Sequence, residues 1–315
     1  TVLSTRSSEY TFARSFKPKG SKNPLMKHAK RHPLIFGTII LTATGLITRV
    51  IGFFYRIYLS RLFGEEGMGI YQLLSPALSL SFSLTAAGYQ TAISKYVAAD
   101  SAKRPSGNLK PLLAGISITL PLSLVTNAIL FFSADPIGIF LLKDHRTVPM
   151  LRILSFSVPF AALHACINGY YYGKKNAFVP SLCQLIEQIA RVGSVWIIFQ
   201  VTTEKGIPLN AFHAVCGLVI GECFGLLVSM SALLQEKRLP RGSYSTDSVC
   251  NRTMTHAFLA MVLPLTINRL AVAFSTSLEN LLIPQKLQLY GYSQAEALSV
   301  YGCLLYTSPS PRDRG

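Results

Sequence analysis

Residues 34–59 read LIFGTIILTATGLITRVIGFFYRIYL. This run carries two arginines, Arg49 and Arg56, and no other charge. It exceeds the ~20 mainly apolar residues that a membrane-spanning helix requires. Comparable runs follow at about 69–94, 112–132, 147–171, 177–202, 209–234 and 256–283, which makes seven spans, and an eighth begins near Ala297. The composition agrees. Only 14% of the 315 residues are charged, against about 25% in an ordinary globular protein. Half are apolar, and the mean hydropathy is +0.38. A soluble enzyme, a secreted disulfide scaffold and a disordered tail are excluded. The predicted fold class is all-α, a polytopic membrane bundle.

The charges are lopsided, 30 Lys+Arg against 14 Asp+Glu, for a net +16. Their placement explains the excess. Lys27, Lys30 and Arg31 precede the first span. Lys95, Lys103, Arg104 and Lys110 fill the second loop, Lys174 and Lys175 the fourth, and Lys237, Arg238, Arg241 and Arg252 the sixth. The alternate loops hold only Arg61, Lys143, Arg146, Lys205 and Lys286. Thirteen basic residues against five put the amino terminus in the cytoplasm, because basic loops stay on that side. The charge is therefore topological, and no nucleic-acid partner is expected. Cys166, Cys183, Cys216 and Cys223 lie in apolar runs without a CxxC or Cys/His cluster. They read as small buried hydrophobes, with no metal site. No phosphate-cradling glycine loop, zinc-ligand pair or nucleophile elbow occurs, so neither a cofactor nor an enzymatic activity is expected.

Both ends depart from this pattern. Residues 1–25 are polar, basic and without apolar periodicity, and Met26 is the first methionine. Residues 1–25 thus read as upstream translation and 26–33 as a cytoplasmic flank. Residues 34–234 then form a first six-helix lobe, and 235–255 a cytoplasmic inter-lobe loop. Residues 256–302 hold the first helix of a second lobe and the start of the next. The polar, two-proline string ending at Gly315 abandons that last helix, and 303–315 reads as a foreign tail.

Charge at membrane depth costs at least ~2.5–3.5 kcal/mol, so it marks a cavity or a partner. Arg49 and Arg56 are seven residues apart, on one helix face two turns apart. Glu187 and Arg191 form an i, i+4 pair with the acid first, the favourable order, bordered by Gln184 and Gln188. Glu222 stands alone among Gly217, Gly221 and Gly225, whose spacing of four predicts a close helix-packing face. Glu187, Arg191 and Glu222 are candidates for a coupling site or polar cavity. His164 and Asn168 make a polar i, i+4 pair leading to Tyr170, Tyr171 and Tyr172, which are expected to anchor the inner membrane boundary. Arg269, beside Asn268, lies in the inner half of the seventh span, which also holds Glu279. Pro76, Pro121, Pro159, Pro180 and Pro264 fall within spans and predict five broken or kinked helices, which favours a transporter over a rigid anchor.

The first and seventh spans share a local pattern. Leu46-Ile47-Thr48-Arg49-Val50 parallels Leu265-Thr266-Ile267-Asn268-Arg269-Leu270. The next spans open on Gly69-Ile70-Tyr71-Gln72 and Ser299-Val300-Tyr301-Gly302. Six intervening spans give both helices the same direction, as a parallel repeat about the membrane normal requires.

Gly45 to Arg56, continued by Leu59-Ser60-Arg61-Leu62-Phe63-Gly64-Glu65-Glu66-Gly67-Met68-Gly69-Ile70-Tyr71-Gln72, closely resembles the opening of the stage V sporulation protein B family. Its members are oligosaccharide-flippase-like polysaccharide-biosynthesis proteins of the multidrug/oligosaccharidyl-lipid/polysaccharide exporter superfamily. The segment from Ile167 to Gln188 and the string Glu279-Asn280-Leu281-Leu282-Ile283-Pro284 look like the same family. The resemblance covers about Met26 to Gly302. It implies two six-helix lobes around a central cavity open to one side at a time. It also implies a lipid bilayer setting and an undecaprenyl-diphosphate-linked sugar as substrate, held through its diphosphate by cavity arginines. Arg49 and Arg56 match such positions by motif, and Arg269 matches by helix. The coupling ion is left open.

Two rivals remain at this stage. A cation-coupled drug exporter of the same superfamily should have an acidic cavity, whereas the first span bears two arginines and no acid. A non-transporting scaffold for cell-wall or spore assembly would tolerate arginine substitution except through stability or partner binding.

Overall fold

A computed structural model describes residues 33–103, 109–205, 210–237 and 252–307. The expectations for residues 1–32 and 308–315, and for most of the inter-lobe loop, lie outside the described residues. Among those described the protein is all-helical. The helices are α1 (Pro33–Leu73), α2 (Ser75–Phe82), α3 (Gly88–Lys103), α4 (Lys110–Phe132) and α5 (Thr147–Ser155). They continue with α6 (Ser157–Gly173), α7 (Phe178–Glu204), α8 (Ala211–Lys237), α9 (Arg252–Leu289) and α10 (Gln294–Thr307). π-Helical segments occupy Ser83–Ala87 and Ile137–Leu141. Among the described residues six stretches are long and apolar enough to cross a membrane, and the protein is a multi-pass membrane protein.

The first of these stretches, Gly37–Asp100, runs for 64 residues. Straight, it would measure ~96 Å at 1.5 Å per residue, about three times the hydrocarbon thickness of a bilayer. It takes in the second predicted span and most of the first, and the non-helical break between them is a single residue. Gly64 adopts φ 67°, ψ −176° inside α1, a region in which only glycine is comfortable. The chain turns there. Tyr55 and Leu59, before the break, share a buried cluster with Met68, after it, and Tyr71 packs against the same cluster. Arg146, from the loop ahead of α5, clasps Glu66 at 2.8 Å and Asp144 at 2.9 Å.

The prolines divide in their effect. Pro76, Pro159 and Pro180 stand in the first turns of α2, α6 and α7, where the missing N–H has no helical partner to lose. Pro76 and Pro159 thus mark where one long helix ends and the next begins. Pro121 and Pro264 lie inside α4 and α9, as does Pro284. Pro76 and Pro159 thus stand at breaks, as expected of broken or kinked helices, whereas Pro180 opens a helix after a loop and corrects that expectation.

α6 is the central strut, packed on α3, α4 and α8. α9 lies along α2, Ser83–Ala87 and α3, while α10 lies on α1. The two segments aligned by the internal repeat touch one another. Gly69 faces the backbone of Leu298, and the Ser299 hydroxyl donates to Glu65 Oε2 at 2.6 Å. Phe53, Phe54, Phe132, Phe140 and Trp196 are exposed, as side chains facing lipid would be.

Tyr170 and Tyr171 depart from expectation. They sit near the C-terminal end of α6, but their relative exposure is 0% and 4%, so they belong to the core rather than to an interfacial belt. The Tyr170 hydroxyl donates to Glu236 Oε1 at 3.3 Å, and the Lys174 ammonium bonds both groups. Burial works against the Lys174 charge, but the Glu236 carboxylate and the Tyr170 hydroxyl outweigh it and hold its pKa above the ordinary lysine value. A raised lysine stabilises fully below the unfolded value and loses that contribution as pH rises through the folded one. Lys174→Met is therefore expected to lower Tm at neutral pH, with the difference closing at strongly alkaline pH in paired thermal melts.

The α3–α6 contact depends on Gly169, where a Cβ would meet Gln90 O at 2.6 Å and Gln90 Cα at 3.1 Å. Gly169→Ala is expected to destabilise the protein by about 1–3 kcal/mol. Gly45→Ala, with nothing within 4 Å, should leave Tm unchanged or slightly raised. Thermal unfolding in detergent distinguishes the two.

Candidate functional site

Glu187 and Arg191 occupy the middle of α7 and are half-buried. One helical turn separates them, and Arg191 Nη2 donates to Glu187 Oε1 at 2.6 Å. The glycines of α8 let that helix settle on this turn. A Cβ on Gly221 would stand 3.0 Å from Glu187 O and 3.1 Å from Arg191 Cβ, and one on Gly225 would stand 3.6 Å from Glu187 Cβ. The predicted glycine face is thus the α7–α8 interface. Close approach brings Glu222 over Arg191, with Nη2 to Oε1 at 3.5 Å. Glu222 is not alone, as its sequence surroundings implied. Its other oxygen lies 3.0 Å from His164 Nε2, on α6.

His164 completes a four-residue ionic cluster spanning α6, α7 and α8. Its Nδ1 stands 3.3 Å from Asn168 Nδ2 and 3.8 Å from Cys183 Sγ. The Cys183 thiol donates to Gly225 O at 3.1 Å. His164 and Asn168 are 9% and 8% exposed, so both act from the interior. Sequence reasoning noticed this polar pair but assigned it no part in the site. Its signal was the i, i+4 spacing of two polar residues in an apolar helix, which points to an inward polar stripe and not to a partner.

Donor atoms of His164, Glu187 and Glu222 lie within 4.8 Å of one another, a spacing that a bound cation can bridge. Here the Arg191 guanidinium stands between the carboxylates and serves as the cation. A cavity of about 320 Å³ reaches the cluster, ending on Arg191 and Glu222. Its opposite wall is rich in hydroxyls from Ser75, Ser79, Ser81, Thr85 and Ser157. Thr85 belongs to the π-helical segment, and its hydroxyl caps Ser81 O at 2.7 Å.

The three arginines expected to bind substrate lie elsewhere. Arg49, Arg56 and Arg269 are all exposed, and none lines this cavity. Arg49 and Arg56 share one face of α1. Between them Gly52 sits against α7, where a Cβ would be 3.5 Å from Gln188 Nε2. Arg56 lies within electrostatic reach of Tyr71. Arg269 is on α9, which touches α1 only marginally. Among the described residues, neither Arg49 nor Arg269 takes part in an ion pair.

A family model described as polysaccharide biosynthesis protein matches residues 34–288. The chain belongs to that family. Stage V sporulation protein B of Bacillus subtilis (strain 168) is 32% identical over 268 residues, covering 84% of this chain and 52% of that protein. The uncharacterized membrane protein YabM of the same organism is 26% identical over 209 residues, 65% of this chain and 37% of YabM. The lipid II flippase MurJ is 26% identical over 208 residues, 62% of this chain and 38% of MurJ. The chain spans about half the length of the first of these relatives and less of the other two. The resemblance read from the first span is therefore shown for this polysaccharide biosynthesis protein.

Removing one partner from a buried ion cluster leaves charge unpaired and typically costs ~3–5 kcal/mol. Arg191→Met should cost about that much, because it strands Glu187 beside Glu222. Arg191→Met/Glu187→Met removes opposite charges together, leaves Glu222 with His164, and is expected to recover most of the loss in thermal unfolding.

Proposed function

We propose that the protein moves a lipid-linked oligosaccharide, a peptidoglycan precursor on an undecaprenyl diphosphate carrier, across the cytoplasmic membrane by alternating access. Membership of the polysaccharide biosynthesis family supports this, as does similarity to a protein named as a lipid II flippase. The similarity to stage V sporulation protein B supports a setting in spore cortex formation. The activity proposed is transport, not catalysis, with the amino terminus on the cytoplasmic side, as the thirteen-to-five division of basic residues indicates.

The observation that carries the reading is how the charges are distributed. Glu222, the acid that lines the cavity, and Glu187 behind it are already engaged, Glu187 by Arg191 and Glu222 by Arg191 and His164. Arg49, by contrast, is exposed midway along an apolar helix whose length before Gly64 contains no acid. A cavity for organic cations would need the reverse arrangement. An exposed guanidinium at membrane depth is matched to a diphosphate, which it can grip with two parallel hydrogen bonds in a low dielectric. In this reading Arg49, Arg56 and Arg269 hold the diphosphate while the polyprenyl tail stays in lipid, and the energy comes from an ion gradient or the membrane potential.

In cells depleted of their own lipid II flippase, the full gene product is expected to restore precursor exposure on the outer leaflet. Arg49→Ala at equal expression is expected to abolish that restoration. Failure of the wild type despite correct insertion would overturn the lipid II assignment in favour of another glycan or a scaffold. Restoration by both proteins would keep the flippase and remove Arg49 from its site.

A further inference from the structure

The ionic cluster carries a charge that its visible partners do not balance. Glu187 and Glu222 bring two negative charges and Arg191 one positive, so with a neutral imidazole the group is left with one net negative charge in the middle of a membrane-spanning bundle. Such a charge is expensive in a low-dielectric interior. One further positive charge restores neutrality. A metal ion has no room among the carboxylates while the Arg191 guanidinium stands there at 2.6 and 3.5 Å. We propose that His164 and Glu222 form a binding site for one proton, reached through the cavity that ends on Glu222, and that this proton is the coupling ion of the transport cycle. The coupling role rests on the transport function proposed above, whereas the proton site itself does not.

The imidazole is placed to hold or release a proton without leaving either ring nitrogen orphaned. Nε2 faces Glu222 Oε2 at 3.0 Å and Nδ1 faces the Asn168 carboxamide at 3.3 Å. A carboxamide can donate to a neutral ring nitrogen or, turned over, accept from an imidazolium N–H. Asn168 keeps that acceptor in reserve, since its buried Oδ1 has no partner in the structure. Glu222 provides the way in, because it lines the cavity together with Ser79, Ser81, Thr85 and Ser157, whose hydroxyls suit a chain of water. Loss of the proton leaves Glu222 in need of a second cation. Arg191 is already 3.5 Å away and is the group that can close on it, and both residues line the cavity. Proton release thereby becomes a change in the shape and charge of the cavity wall.

The surroundings of His164 leave the proton few other places to go. From α7 it meets Cys183 and Glu187, the latter paired with Arg191, and from α8 Glu222. α2 and the π-helical segment Ser83–Ala87, packed on the same helix, contain no titratable residue, and α4 contains only Lys110 at its first position. α5 contributes Arg152, paired with Asp135. α3 contributes Tyr89, Lys95, Tyr96, Asp100 and Lys103, none of them among the hydrogen-bond or ion-pair partners of His164. His164→Gln identifies the residue in the histidine nitrogen spectrum of the protein in nanodiscs, where the chain has six histidines.

At neutral pH the wild-type His164 signal is expected to show the matched nitrogen shifts of an imidazolium. In Glu222→Gln the remaining Glu187–Arg191 pair is already balanced, and the same ring is expected to show the split shifts of a neutral imidazole. A neutral ring in the wild type, or the same charge state in both proteins, would overturn the proton site. Thermal melts of each variant guard against reading misfolding as a result. Coupling is tested separately, on the full gene product in proteoliposomes carrying lipid-linked precursor. An imposed proton gradient is expected to accelerate flipping by the wild type, and His164→Gln is expected to abolish that acceleration. Gradient-independent flipping by the wild type would overturn the coupling role. An imidazolium in a protein that flips no precursor would uphold the proton site and count against the transport reading instead.

Discussion

The Arg191 guanidinium, held between Glu187 and Glu222 inside a membrane-spanning bundle, is the interaction around which α6, α7 and α8 are arranged. A charged group at that depth is costly unless it is paired, and here its partners are supplied by neighbouring helices at fixed distances. That requirement explains the glycines at 217, 221 and 225. They remove the side chains that would hold α8 away from α7, and so bring the Glu222 carboxylate within reach of a guanidinium whose first partner is one turn back on its own helix. His164 then closes the cluster from a third helix. Packing and electrostatics are one constraint here, because any shift of α8 along α7 would strand a charge.

A second constraint is geometric. A 64-residue apolar stretch must fold back on itself to fit a bilayer, and it does so at Gly64 with almost no loop. The sharp return places Tyr55 and Leu59 against Met68 and sends the remainder on to contact α10. Gly69 allows that contact, since any side chain there would run into the backbone of Leu298. The same path keeps the Arg49–Arg56 face of α1 exposed beside α7. The protein therefore separates two kinds of charge, an ion-paired cluster within the bundle and exposed arginines along α1.

Much of this architecture was legible in one dimension. The apolar runs, the alternation of basic loops, the Glu187–Arg191 pair and the glycine stripe are all matters of spacing along the chain, and spacing converts directly into helix length or helix face. The motif from Gly45 to Gln72 also carried the family. The errors have a common cause. Tyr170 and Tyr171 were assigned by depth, which sequence supplies, but they are buried by the rotation of α6, which it does not. Pro180 opens a helix rather than breaking or kinking one, because helix boundaries depend on where tertiary packing interrupts an apolar run.

The sequence by itself determined that this is a many-spanning helical membrane protein of the polysaccharide biosynthesis family, with arginines at membrane depth, because hydropathy and charge are properties of each residue in place. Only the tertiary structure decided that Glu222 is not solitary, that His164 and Asn168 belong to its site, and that a cavity ends on it. These residues lie on two helices, with His164 and Glu222 58 positions apart in the chain. Whether they meet depends on the rotation and relative height of packed helices, quantities set by contacts between helices and encoded in none of them alone.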